Sequence, residues 1–228
     1  MSPNPPARRV ASPNPPAARV KPRLRGVFHE IAAFLSLPVV IGLVATARSR
    51  IALAAALTYG GSLVLLFSIS AIYHRPHWRP RPRNILGRID QATIFVAIAG
   101  TYTPFCLLLG PGRGTFLLAT VWAATLAGMA LALLWDHAPK RTMAAIYVAL
   151  GWFVLPILPA IRAVVHAGPF LLLMAGGALY TTGAAVYAFR RPDPFPAVFG
   201  YHEIFHVLVV VGAACHLAVA VVAIRALG

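Results

Sequence analysis

Long apolar runs alternate with short polar segments from residue 28 to the end of the chain. A helix needs about 20 mostly apolar residues to cross the hydrocarbon core of a bilayer. Seven runs qualify, at about 28–47, 51–73, 90–110, 115–135, 142–163, 169–189 and 203–226. The fold class that follows is all-α, a polytopic membrane protein built as a seven-transmembrane-helix bundle. The connecting segments are short: 48–50, 74–88, 110–114, 136–141, 164–168 and 190–200. Pro38, Pro104, Pro156 and Pro159 fall inside runs. Membrane helices tolerate proline where neighbouring groups satisfy the freed backbone.

Composition sharpens this picture. The chain has 228 residues, 59% hydrophobic and 11% charged, with a mean hydropathy of +0.77. Soluble domains carry about 25% charged residues. The net charge of +15 does not imply a nucleic-acid partner. The basic residues sit between apolar runs, as they do in the cytoplasmic loops of membrane proteins. Cys106 and Cys215 lie inside apolar runs, which argues against a disulfide or a thiolate zinc site. The first run follows a long basic segment without a small-residue cleavage site, so no cleavable signal peptide is expected.

Residues 2–7 read SPNPPA and residues 12–17 repeat it, with Arg, Lys and Pro filling the sequence to Arg25. Such a segment has little apolar surface to bury. The domain division is therefore a disordered, basic, Pro-rich cytoplasmic tail over 1–26 and a transmembrane domain over 27–228. The six cations of the tail either touch anionic lipid headgroups or serve only as a topology signal.

Lys and Arg set the orientation. With the tail inside, inside segments carry six, five, two and two of these residues, fifteen in all, and outside segments carry five. That asymmetry places the N-terminus in the cytoplasm and the C-terminus outside. It is the inverse of a G-protein-coupled receptor.

Polar groups within a membrane are costly, so their positions carry information. The second run ends in Ser70 and His74, the third begins with Asp90 and Gln91, and the seventh begins with His202, Glu203 and His206. This topology puts all three ends at the cytoplasmic face. His202 and His206 are i and i+4, on one helix face, and can share a metal ion with His74. Zinc with three protein ligands keeps an open position for a water whose pKa falls to about 7. Asp90 can hold that water or take its proton, and Ser70, one turn before His74, shares its face. Three imidazoles with a carboxylate suit Zn2+ best among divalent ions.

The segment from His202 to His206 also fits the H-E-x-x-H signature. No acid follows Glu203, and Val209 and Gly212 stand where the extended signature needs Gly and His, so a protease is not expected. Glu203 reads more simply as a charge at a helix N-terminus. His77, His137 and His166 read as interfacial groups. His216, about 15 Å deeper than His206, reads as a buried packing or proton-handling residue. Asp90 has a bland alternative of its own, pairing with Arg88 or capping the third helix. Two histidines on facing helices can also ligate haem, but an i, i+4 pair on one helix suits a small ion better.

At these residues the chain resembles the hemolysin III family, bacterial relatives of the progestin and adiponectin receptors. The resemblance rests on Ser70-Ala-Ile-Tyr-His74, on the segment from Ile89-Asp90 to Gly100-Thr-Tyr-Thr-Pro-Phe105, and on Tyr201-His-Glu-Ile-Phe-His206 continuing to His216. It implies seven helices with the N-terminus inside and zinc on His74, His202 and His206, with Ser70 and Asp90 around the bound water. The sequence departs from the family at Gln91, where a His is common. It departs also at Phe28-His29-Glu30, where a longer pattern is usual, and His29 is assigned no catalytic role.

The function expected from the resemblance is a zinc-dependent intramembrane hydrolase of a lipid amide or ester, ceramidase-like, with Asp90 and Ser70 as catalytic residues. The expected partners are membrane lipids and a lipid substrate or ligand, with no nucleic acid. The expected location is the bacterial inner (cell) membrane. The alternative is a receptor or lipid-homeostasis sensor with structural zinc. A transporter and a pore-forming cytolysin rank below both, since the acids form no relay across the membrane and a basic-tailed integral protein has no evident soluble form.

Overall fold

The computed structural model describes residues 21–136 and 138–228. The SPNPPA repeats and most of the tail expected to be disordered lie outside the described residues, as does His137. Among the described residues the chain is helical, without strands. The helices are α1 (Val27–Thr46), α2 (Arg50–His74), α3 (Pro80–Leu108), α4 (Arg113–Leu134), α5 (Lys140–Trp152), α6 (Leu158–Val164), α7 (Ala167–Phe189) and α8 (Tyr201–Ala226). Seven units are long and apolar enough to cross a membrane, with α5 and α6 together forming the fifth.

Two of these differ from the sequence expectation. α3 begins at Pro80, ten residues before the apolar run, because Pro80 sits in its first turn, where a missing N–H costs nothing. Asp90 is therefore inside the helix and cannot cap it. The fifth span is broken rather than continuous, by a 3-10 turn at Leu155–Ile157 followed by α6. Pro156 and Pro159 remove two donors from the ladder. Tyr102 on α3 repairs the break: its hydroxyl donates to the carbonyls of Leu150 (3.0 Å) and Gly151 (2.8 Å).

Chain neighbours pack in sequence, α1 on α2, α2 on α3, α3 on α4, and α7 on α8, while α8 also touches α1, α2 and α3. The largest apolar cluster joins α1, α2 and α8 through Leu43, Tyr59, Leu66 and Ile224. In lipid, small residues let helices approach. A Cβ on Gly100 would run into Ser62 of α2, and one on Gly128 would run into the Phe95 ring. At the far end, Ser49 caps α2 and its hydroxyl donates to the Leu227 carbonyl, tying the end of α8 to the α1–α2 connection. The two cysteines, Cys106 and Cys215, are free thiols.

Residues 21–26 are a strap across the opposite end of the bundle. Arg23 and Leu24 donate backbone N–H groups to the carbonyls of Ala197 and Val198 (3.0 and 3.1 Å). Lys21 Nζ donates to the carbonyls of Arg75 (2.7 Å) and Pro76 (3.1 Å) just past α2. The strap enters α1 through Gly26, whose φ of 81° lies in the left-handed region that favours glycine. By composition these residues belong to the tail, and their bonds to the bundle set them apart from it.

Candidate metal centre

Four helices bring polar groups to the end of the bundle beneath the strap. α2 contributes Ser70 and His74 one turn apart, α8 contributes His202 and His206 one turn apart, α3 contributes Asp90, and α1 contributes His29. His74, His202 and His206 are all buried, and one nitrogen from each lies within 4.8 Å of the others. Their ring centroids are 4.6–5.0 Å apart. That spacing leaves no room for a porphyrin between them.

The donor set fits a metal ion. His74 Nε2 and His202 Nε2 face each other at 3.1 Å. Imidazole nitrogens are natural ligands for a divalent cation, and one cation could serve a nitrogen from each of the three rings at this spacing. This buried three-histidine group can hold a metal ion.

Asp90 faces this group, its Oδ2 3.6 Å from His74 Nε2. It does not pair with Arg88, which turns away to Asp136 and to the Leu133 carbonyl. Ser70 is buried, and its Oγ is hydrogen-bonded to His29 Nδ1 at 2.8 Å. The sequence-predicted residues Ser70, His74, Asp90, His202 and His206 thus come together in one place.

His29 is the residue that sequence reasoning left out. It is buried, bonded to Ser70 and stacked on His206. The available signal was a histidine beside Glu30 in the first turn of an apolar run. Glu203, by contrast, is structural. Its Oε2 accepts from Gly200 N–H (2.9 Å) and caps α8, while Oε1 pairs with Arg25 Nε at 2.5 Å. His216 is buried and bonded to the Leu173 carbonyl (3.1 Å) beside Tyr180, where a Cβ on Gly176 would meet its ring. His77 and His166 are exposed.

A cavity of about 1200 Å³ begins at this group and continues into the bundle as far as His216. Its polar mouth is lined by Lys21, Arg25, Arg83, Lys140 and Arg190. The Lys21 ammonium is pushed below its ordinary range by burial and by the nearby Arg75, Arg25 and Arg83.

The sequence profile described as haemolysin-III related matches residues 17–217. The chain belongs to that family. This haemolysin-III-related chain is 32% identical to Hemolysin-3 of Bacillus cereus, over 82% of its own length and 84% of the relative's. It is 31% identical to the Hemolysin-3 homolog of Bacillus subtilis (strain 168), over 82% and 87%. It is also 31% identical to the heptahelical transmembrane protein ADIPOR2 of Oryza sativa subsp. japonica, over 69% and 75%. The seven spans and the family together make it a multi-pass integral membrane protein, and its bacterial relatives place it in the bacterial cell membrane.

Proposed function

We propose that this protein is a zinc-dependent hydrolase of a lipid amide or ester, working at the cytoplasmic end of its helices. The observation that carries the reading is the buried three-histidine group, flanked by Asp90 and Ser70, at the head of a long cavity. A zinc ion held by His74, His202 and His206 would supply Lewis acidity toward a substrate carbonyl and acidify a water. Asp90 Oδ2, close to His74, accepts the water's proton and returns it to the leaving nitrogen or oxygen. Ser70, held by His29, orients its hydroxyl toward the carbonyl oxygen and stabilises charge there. The apolar walls below exclude water and hold the acyl chain.

A second reading has one observation in its favour. The Asp90 carboxylate lies 3.6 Å from His74 Nε2, and were it to swing in as a fourth ligand the site would be closed, as structural zinc sites are. In that case the protein is a receptor or lipid-homeostasis sensor.

The experiment is metal analysis by mass spectrometry of the purified chain, wild type and His202→Ala/His206→Ala. About one zinc per chain, lost in the double variant, and zinc-dependent cleavage of lipid amides or esters are the expected results. Stoichiometric zinc without turnover on any such lipid would move the balance to the sensor. A folded wild type that takes up no zinc would end both readings.

A further inference from the structure

Of the five cations lining the cavity mouth only Arg25 has an ion pair, and the metal centre does not account for the other four. The chain has five acids. Glu30 pairs with Arg75, Asp136 with Arg88, and Glu203 with Arg25. Asp90 faces His74, and Asp193 accepts the backbone N–H of Tyr201 at 2.9 Å. Many cations are therefore left without an ion pair among the described residues, and Lys21, Arg83, Lys140 and Arg190 are those that line the cavity.

Lys140 is the most telling of these. It is half-buried at the start of α5 and makes no side-chain hydrogen bond among the described residues. Its Nζ lies 4.6 Å from the Tyr187 ring centroid and 5.8 Å from that of Tyr201. The rings hold the ammonium in place without neutralising it. Tyr187 in turn lies 5.8 Å, centroid to centroid, from His202. An orientation signal requires only that cations stand on one side of the membrane. It does not require a lysine turned inward between two tyrosines, one ring away from a metal-binding histidine.

Below the mouth the walls change character. Leu66, Ile94, Ile98, Val148, Met174 and Val209 line the cavity on the way to His216. Its volume exceeds the roughly 300–1,000 Å³ of ordinary small-molecule pockets. A charged rim above an apolar shaft matches a molecule that is anionic at one end and hydrocarbon at the other.

We propose that the cavity holds an amphiphile with an anionic headgroup, a phosphate or a carboxylate, bound at the mouth by Lys140 with Arg83 and Arg190, its hydrocarbon chain running down the shaft. That the bound amphiphile is also the molecule hydrolysed rests on the reading above; that it is bound does not.

Trp152 supplies the probe, because it lines the shaft, with its indole N–H on Thr181 Oγ1 at 2.8 Å. The test titrates the full chain, in nanodiscs of zwitterionic lipid, with a monoacyl glycerol phosphate carrying a brominated chain. The uncharged monoacylglycerol with the same chain is titrated beside it. Bromine quenches tryptophan emission, and Trp152→Phe identifies the part of the signal that comes from the shaft. The phosphate-bearing lipid should bind about tenfold tighter. That preference should shrink as ionic strength rises. It should largely vanish in Lys140→Gln, persist in Lys140→Arg, and be untouched in Arg113→Gln, an exposed cation on α4. The Lys140→Arg and ionic-strength arms decide the matter if Lys140→Gln does not fold.

Equal affinity for the two lipids, or a preference unchanged in Lys140→Gln, would overturn the inference. Displacement of the lipid by inorganic phosphate alone would overturn it too, by making the ligand a free anion. The two proposals fail separately. A zinc-free, inactive protein that keeps its headgroup preference sinks only the hydrolase, and zinc-dependent hydrolysis without that preference sinks only the anionic ligand.

Discussion

The His29 imidazole lies flat on that of His206, with ring centroids 3.8 Å apart and planes 4° from parallel, while its Nδ1 is bonded to Ser70. One side chain from α1 thus fixes a ring of the three-histidine group on α8 and a hydroxyl on α2. Groups that orient metal ligands typically govern affinity by about 10- to 100-fold.

His29→Ala should therefore weaken zinc binding by at least about tenfold, because both contacts are lost. His29→Phe keeps a stacking face but not the bond to Ser70. It should retain most of the zinc affinity and lose most of any hydrolysis. Competitive titration with a chromophoric chelator measures the first effect and lipid turnover the second. Equal zinc affinity in wild type and His29→Ala would remove the positioning role.

Arg25 and Glu203 form a pair in which the carboxylate is 1% exposed and the guanidinium 23%. Removing one partner of a buried pair strands the other, at a cost of about 3–5 kcal/mol. Arg25→Met alone should lower the thermal midpoint in detergent markedly. Arg25→Met with Glu203→Gln should recover most of the loss, since the amide oxygen still accepts from Gly200 N–H. Additive losses would argue against the pair as the source.

Tyr102→Phe tests the repair of the fifth span. The Gly151 carbonyl loses its Tyr102 donor and the Leu150 carbonyl keeps only the Phe153 N–H, which should cost about 1–3 kcal/mol. Hydrogen exchange should rise locally, around residues 150–158, before the rest of the bundle responds. A uniform rise along the chain would place the effect elsewhere.

Gly26→Ala should disturb the centre from outside. The left-handed conformation costs an alanine about 1–2 kcal/mol, and its Cβ would sit 2.7 Å from the His74 Cβ. Protease cleavage within 21–26 should quicken and zinc affinity should fall together. A change in cleavage alone would separate the strap from the centre.

Much of this was legible in the sequence, because the signals are strong and local. Seven apolar runs need only length and composition. His202 and His206 need only helical spacing. His74 and Asp90 were brought to the same depth by the distribution of Lys and Arg. What escaped depended on contacts between distant segments. The start of α3 at Pro80 lies in a polar stretch that hydropathy does not mark, and the break after Trp152 is met by a donor from Tyr102, some 50 residues away. His29 looks like a stray polar residue until it is set against His206. Residues 21–26 resemble the tail in composition, and only their bonds to Arg75, Pro76, Ala197 and Val198 set them apart.

The strap grips α2 immediately after His74 and grips α8 at Glu203, between His202 and His206. It adds no histidine to the group, yet it ties together the two helices that do. If those histidines bind an ion, their spacing would be set by the strap before the ion arrives. An ion too large for that spacing would then be refused by six residues that never touch it.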